Sequence, residues 1–263
     1  MDPVILIGTS GYSYKDWAGV FYPPGLKSSG YLDFYARHFN FVELNYSYYT
    51  QPKPGAAAAM LAGTPPGFRF SIKTHKNLTH GRSDGWRRDA ALFRLGIEPL
   101  AAAGRLAALV AQFPFSFHYT PDNRRYLDGL CGEFKDYPLC VEFRNDEWLS
   151  VHVAAELEAR GAALVLTDTP DLPGLPGRAR HPDGPVTAGR TGYVRFHGRN
   201  AENWWKGDNT SRYDYLYKPE ELRQWLPVLL KTASSRAILL VAFNNHARGR
   251  AVQNAKELQL MLA

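Results

Sequence analysis

A chain of 263 residues, 45 % of them apolar and with no low-complexity linker, can bury one sizeable core, so a single domain over residues 1–263 is expected. No apolar run approaches the ~20 residues of a membrane span, and the opening MDPVILIGTSGYS lacks the basic and apolar regions of a leader, so neither a membrane partner nor export is expected. The formal charge of +6 comes from scattered Lys and Arg, which favours an anionic partner without marking a nucleic-acid stripe.

Eight short apolar runs punctuate the sequence: VILIG (4–8), FVELN (41–45), FRFSIK (68–73), LAALVAQ (106–112), LCVEFR (139–144), ALVLTD (163–168), YVRFH (193–197) and ILLVAFN (238–244). Runs this short and rich in Val, Ile, Leu and Phe read as buried strands. The stretches between them carry helical patterns at 29–39, across PGAAAAMLAG, and at 88–103, 122–135 and 148–160. Another follows at 219–232, where Pro227 should kink or break the helix, and a last one at about 248–262. The sixth crossover, 169–191, is rich in Pro and Gly and does not read as a helix. It carries Arg178, Arg180, His181 and Arg190, and is expected to lie partly over the domain. Strands alternating with helices imply a parallel sheet, and eight such units are the complement of an α/β fold of the (β/α)8, triose-phosphate-isomerase type. In that fold the active site sits at the C-terminal ends of the strands.

Alternation assigns the faces. Val42 and Leu44 suit the helix-facing side of the second strand, which turns Phe41, Glu43 and Asn45 inward. The same parity turns Arg69, Ser71 and Lys73 inward, then Cys140, Glu142 and Arg144, then Arg195 and His197, with Gln112, Asp168 and Asn244 added by the strand ends. Isolated charges removed from water cost several kcal/mol each, so these must pair, meet water or meet substrate. A paired structural plug of the mouth is one outcome. A polar funnel is the expected one.

The same segments resemble the YecE-like proteins, domain-of-unknown-function family 72. The resemblance rests on GTSGYSYKDWAGVFYPPGL, FNFVELNYSYYTQP, FSIKTHKNLTH, LVAQFPFSF, VEFRNDEW, YVRFHGRN and VAFNNHARGRAVQNA, and runs from residue 7 to about 258. It implies the barrel and leaves the reaction open. Its motif positions fall on Thr9, Ser10, Gly11, Trp17, Glu43, Asn45, Lys73, His80, Gln112, Pro114, Glu142, Arg144, Trp148, Asp168, Arg195, His197, Gly198, Asn244 and Asn245. Tyr46 and Tyr48 depart from the small polar residue and Phe that relatives often carry there.

The chemistry expected is acid–base catalysis, of hydrolase or lyase type, on a small phosphorylated or carboxylated molecule. Glu142 would be base or acid with Glu43 as its partner, Asp168 would join them, and His197 would shuttle a proton. Lys73, Arg144 and Arg195 would hold the anion, while Asn45, Gln112, Asn244 and Asn245 would orient it. Tyr12, Trp17 and Trp148 would supply stacking faces. No cofactor is expected. A divalent metal on Glu142, Asp168 and His197 is an alternative, disfavoured because no HxH or HExxH spacing appears. Cys131 and Cys140 lack metal or redox spacing and read as reduced thiols of a cytoplasmic protein. A second reading is a nucleic-acid or polyanion binding module using Trp148, Trp204, Trp205 and Lys206 at the rim.

Overall fold

The structure, a computed structural model, describes residues 4–177, 181, 185–187 and 189–263. Eight parallel strands close into a barrel in chain order: β1 (Val4–Ser10), β2 (Phe41–Leu44), β3 (Arg69–Lys73), β4 (Leu106–Phe113), β5 (Leu139–Phe143), β6 (Ala163–Asp168), β7 (Thr191–Phe196) and β8 (Ile238–Phe243). Closure joins β1 to β8 with Val4 opposite Ile238, and β7 to β8 with Arg195 opposite Ala242. It leaves no sheet edge unpaired. Helices α1 (Tyr31–Ala36), α2 (Pro54–Ala62), α3 (Trp86–Ala102), α4 (Pro121–Glu133), α5 (Val151–Ala159), α6 (Pro219–Arg223), α7 (Leu226–Ser234) and α8 (Arg250–Leu262) cover the outside.

Local chemistry sets the helix ends. Thr120 accepts a hydrogen bond from the Asn123 amide at 3.3 Å, with Pro121 in the first turn of α4. The Ser150 hydroxyl accepts from the Val153 amide at 3.1 Å, which starts α5 three residues later than its pattern predicted. The single helix expected over 219–232 is two, α6 and α7, and Pro227 stands in the first turn of the second. Its missing N–H and ring exclude it from a helix interior but suit it to a start.

The barrel interior is stratified. Leu6, Phe41, Val110, Cys140, Val165, Tyr193 and Leu240 form a dry apolar plug. Cys140 is fully buried there, and desolvation pushes its thiol up to about 12. The Tyr193 hydroxyl caps the plug, donating to Glu43 Oε2 at 2.7 Å and lying 2.7 Å from Ser71 Oγ. The charged rows begin there, on the mouth side. A second apolar layer between strands and helices includes Phe70, Phe113, Phe143, Phe196 and Phe243. Each such side chain contributes about 1.5–3 kcal/mol by leaving water.

The described part of the sixth crossover runs beside β6, and its Gly174 carbonyl accepts from the Asp146 amide just past β5. Thr167 pairs with Gly177, and the Leu164 amide donates to Thr187 Oγ1 at 3.1 Å. His181 stands 3.4 Å from Asp146 Oδ2, and the Arg190 carbonyl accepts from the amides of Ala237 and Ile238. Arg178 and Arg180 lie outside the described residues.

Candidate active site at the barrel mouth

Three strand ends build a buried ionic network. Arg195 of β7 lies between two carboxylates, with Nη2 donating to Glu43 Oε1 of β2 at 2.6 Å and Nη1 donating to Glu142 Oε2 of β5. Arg144, just past β5, puts Nε 2.6 Å from Glu142 Oε1. His197, just past β7, brings Nε2 within 3.0 Å of the same oxygen. Its Nδ1 lies 3.1 Å from Asn244 Nδ2, so the arrangement is satisfied by a neutral ring that donates from Nε2 and accepts at Nδ1. Desolvation and the Arg144 charge agree, lowering His197 to about 3. Burial alone would push the Glu142 carboxyl up, but Arg195, Arg144 and His197 outweigh it and hold the group well below its usual range.

Glu43 and Glu142 are both completely buried, and each of their four oxygens has a partner. The Glu142 carboxylate, held in that way, stays charged near neutral pH. In this arrangement the two glutamates are the ion-pair partners of Arg195 and Arg144.

Above the network opens a cavity of about 720 Å³, lined by Lys73, Arg144, Arg195, Asn45 and Asn244 together with Tyr12, Tyr46, Tyr48, Tyr49, Tyr213 and His246. Lys73 Nζ donates to Gln112 Oε1 at 2.8 Å and sits 4.3 Å from the centre of the Tyr48 ring. Gln112 Nε2 donates to the Phe113 carbonyl at 2.8 Å, which fixes the amide with its oxygen toward the lysine. Among the described residues no carboxylate pairs with Lys73. Desolvation, then Arg195 and Arg144, lower it to about 7. Tyr213 is bonded to Arg144; burial raises its hydroxyl, yet Arg144, Arg212 and Arg195 pull it below the usual tyrosine value. Asn45 Oδ1 is buried with no hydrogen-bond partner among the described residues. Trp204 covers Arg144, with the guanidinium 5.6 Å from its ring centre.

The expected inward row is thus brought together at Glu43, Lys73, Gln112, Glu142, Arg144, Arg195, His197 and Asn244, with Asn45 and Tyr12 on the cavity wall. Four expected site residues stand elsewhere. Asp168 pairs in register with the outward Phe196 and so faces away from the barrel interior. It accepts from Arg199 Nε and Nη2, the Tyr217 hydroxyl and Trp225 Nε1. Asn245 also turns outward, donating to the Tyr215 carbonyl and Asn254 Oδ1. Trp17 is fully buried and donates to the His246 carbonyl at 2.7 Å. Trp148 is 1 % exposed, stacks on Phe143 at 4.5 Å and donates to the Phe117 carbonyl. Both indoles are packing elements.

With Asp168 on the other row, the suggested Glu142, Asp168 and His197 metal set does not converge, and no group of three His, Cys, Asp or Glu suited to a metal occurs among the described residues. Of the rim residues named for nucleic acid, Trp148 and Trp204 are 1 % and 3 % exposed, while Trp205 is 54 % exposed and Lys206 is exposed beside it. Tyr213 was missed from sequence because it lies in the long β7–α6 connection, where no period assigns a face. Asp168→Asn is expected to cost about 1.5–3 kcal/mol in urea unfolding, the range for hydrogen bonds to charged groups. Anion affinity at the cavity should stay within about twofold, because sites without shared partners act independently.

A second cavity, of about 590 Å³, lies beside β6 and α7, walled by Leu166, Trp225 and Val228. It shares no residue with the charged mouth.

The fold and mouth define a closed (β/α)8 barrel whose buried carboxylate–guanidinium network underlies a polar, tyrosine-walled cavity. The chain belongs to the family described as "Protein of unknown function DUF72", whose profile matches residues 6–263, which bears out the resemblance read from its motifs. It is 30% identical over 275 residues to UPF0759 protein YunF of Bacillus subtilis (strain 168), covering 98% of this chain and 95% of that relative. It is 32% identical over 174 residues to UPF0759 protein YecE of Escherichia coli (strain K12), covering 63% of this chain and 60% of YecE. A DUF72 family protein of Thermotoga maritima has a crystal structure that superposes with a TM-score of 0.88 at 39% identity, covering 98% of this chain and 99% of that one. A second, from Enterococcus faecalis, superposes with a TM-score of 0.84 at 26% identity, covering 98% and 95%. No helix among the described residues is long and apolar enough to cross a membrane.

Proposed function

We propose that the protein is an enzyme that binds a small carboxylate- or phosphate-bearing molecule in the mouth cavity and transfers protons through Lys73. The observation that carries this is a charge imbalance. Two buried carboxylates are matched by two guanidiniums, while the cavity-lining Lys73 has no carboxylate against it among the described residues. An anion completes the balance. Arg144, fixed by Glu142, offers a planar donor fork, and Lys73 adds a compact charge. Asn45 Oδ1 is an acceptor suited to a substrate hydroxyl. The tyrosine walls suit a molecule with an apolar or ring-shaped body.

A lysine poised at about 7 both accepts and donates protons at neutral pH, the condition a general acid–base group requires. Tyr213, also lowered, is the second group on the cavity wall able to exchange a proton. His197 serves as a neutral link between Glu142 and Asn244 rather than as the shuttle.

The test is a thermal-shift panel of sulfate, oxalate and sugar phosphates at about pH 6 and about pH 8.5, on either side of the Lys73 midpoint. An anion at a hundred times its dissociation constant should stabilise the fold by about 2.7 kcal/mol at the lower pH. The shift should shrink at the higher pH, where the lysine is neutral before binding. Anions without effect at either pH would remove the proposal.

A further inference from the structure

We propose that Lys73 is a covalent nucleophile, condensing as an imine with an aldehyde or ketone whose carboxylate or phosphate is gripped by Arg144. The inference rests on the anion-binding reading of the cavity and adds the electrophile class and the bond formed. An amine attacks a carbonyl only with its lone pair free, in a position the substrate reaches, and with a proton donor for the oxygen it displaces.

Each requirement has a counterpart in the mouth cavity. Lys73 ends β3 and lines the mouth cavity, whereas every other lysine of the chain is exposed. Its one hydrogen bond among the described residues goes to Gln112 Oε1, an acceptor that leaves the nitrogen uncharged when the proton departs. Burial and the two arginines already favour the amine. Such an amine, desolvated and beside other cationic groups, is the environment that activates lysine nucleophiles. Tyr213 shares the cavity and is bonded to Arg144, which places an acidified hydroxyl beside the expected anchor of the substrate.

The step balances as follows. The Nζ lone pair forms a bond to the carbonyl carbon, and the C=O π electrons move to oxygen. That oxygen takes a proton from Tyr213 while the nitrogen releases one, giving a carbinolamine. The nitrogen lone pair then expels the hydroxyl group, which leaves as water with the proton that the nitrogen released to the Tyr213 oxygen, and a protonated C=N bond remains. No oxidant or reductant is consumed. The protonated imine restores the positive charge that the free amine lacks, and the bound anion matches it.

The experiment incubates the full chain with glyoxylate, and separately with pyridoxal 5′-phosphate, at about pH 7 before reduction with sodium borohydride. Borohydride delivers hydride to C=N and leaves a stable secondary amine, located by peptide mass spectrometry. Adduct on the Lys73 peptide should exceed that on any other lysine by about tenfold or more, since exposed lysines are almost wholly protonated at that pH. Sulfate should suppress it, and Lys73→Arg, which keeps the charge but forms no imine, should abolish it. Labelling of Lys73 no greater than that of the exposed lysines overturns the proposal. A parallel arm measures arylation of Lys73 by trinitrobenzenesulfonate with and without sulfate. Sulfate protection without carbonyl trapping removes the imine and leaves the anion site standing, whereas neither effect removes both.

Discussion

Glu142→Gln should lower the unfolding free energy by about 3–5 kcal/mol, the cost of breaking a buried pair by removing one partner. The carboxylate has no access to water and meets Arg195, Arg144 and His197 at once. The amide keeps the shape but removes the charge, leaving two guanidiniums against Glu43 alone, and its NH2 cannot accept from the donors on that side. Urea unfolding at neutral pH reads the loss directly. The pH dependence has a definite sign. The folded-state value of Glu142 is depressed, so its contribution is fully present above the ordinary carboxylate value near 4.5 and is lost as pH falls through the lower folded value. Wild type should therefore converge on the variant only in acid. A difference below about 1 kcal/mol at neutral pH would mean that the ionic layer is not held as described.

Arg144→Gln should weaken anion binding by about 2–5 kcal/mol, the range for truncating a hydrogen-bonded charge at a buried contact. That corresponds to roughly thirty-fold to several-thousand-fold in Kd. Arg144 is the more exposed of the two guanidiniums that line the cavity, and Glu142 keeps Arg195 and His197 when it is gone. The fold should consequently suffer less than in Glu142→Gln. Losing Arg144 also removes one of the cations that depress Lys73, so the lysine midpoint should rise from about 7. Anion titrations across pH, with unfolding curves on the same samples, separate a lost contact from a lost fold.

The barrel was legible because each strand is a short apolar run whose two rows differ in polarity. In FVEL and LCVEF, that difference assigned Glu43 and Glu142 to the interior, where Arg195 joins them. It failed at ALVLTD, where apolar residues occupy both rows of β6 and nothing distinguishes Thr167 from Asp168 until Arg195 and Phe196 lie opposite them. Trp17 and Trp148 misled for a different reason: a large aromatic near a barrel end packs as readily as it lines a site, and only burial decides. That Lys73 stands without a carboxylate partner among the described residues could not be read from sequence at all. It depends on which charges pair in three dimensions, and the arginines take Glu43 and Glu142 and leave Lys73 with Gln112 among the described residues.

The most direct test of that imbalance is calorimetric titration with sulfate, which carries no titratable proton in this range, in two buffers of different ionisation enthalpy. At about pH 8.5 the neutral Lys73 must be charged on binding, so uptake of close to one proton is expected, vanishing at about pH 5.5, where the ammonium is already formed. Lys73→Arg should bind sulfate with no uptake at either pH. Sulfate binding at about pH 8.5 without proton uptake in the wild type, or no binding at either pH, would mean that Lys73 is not the cation that meets the anion.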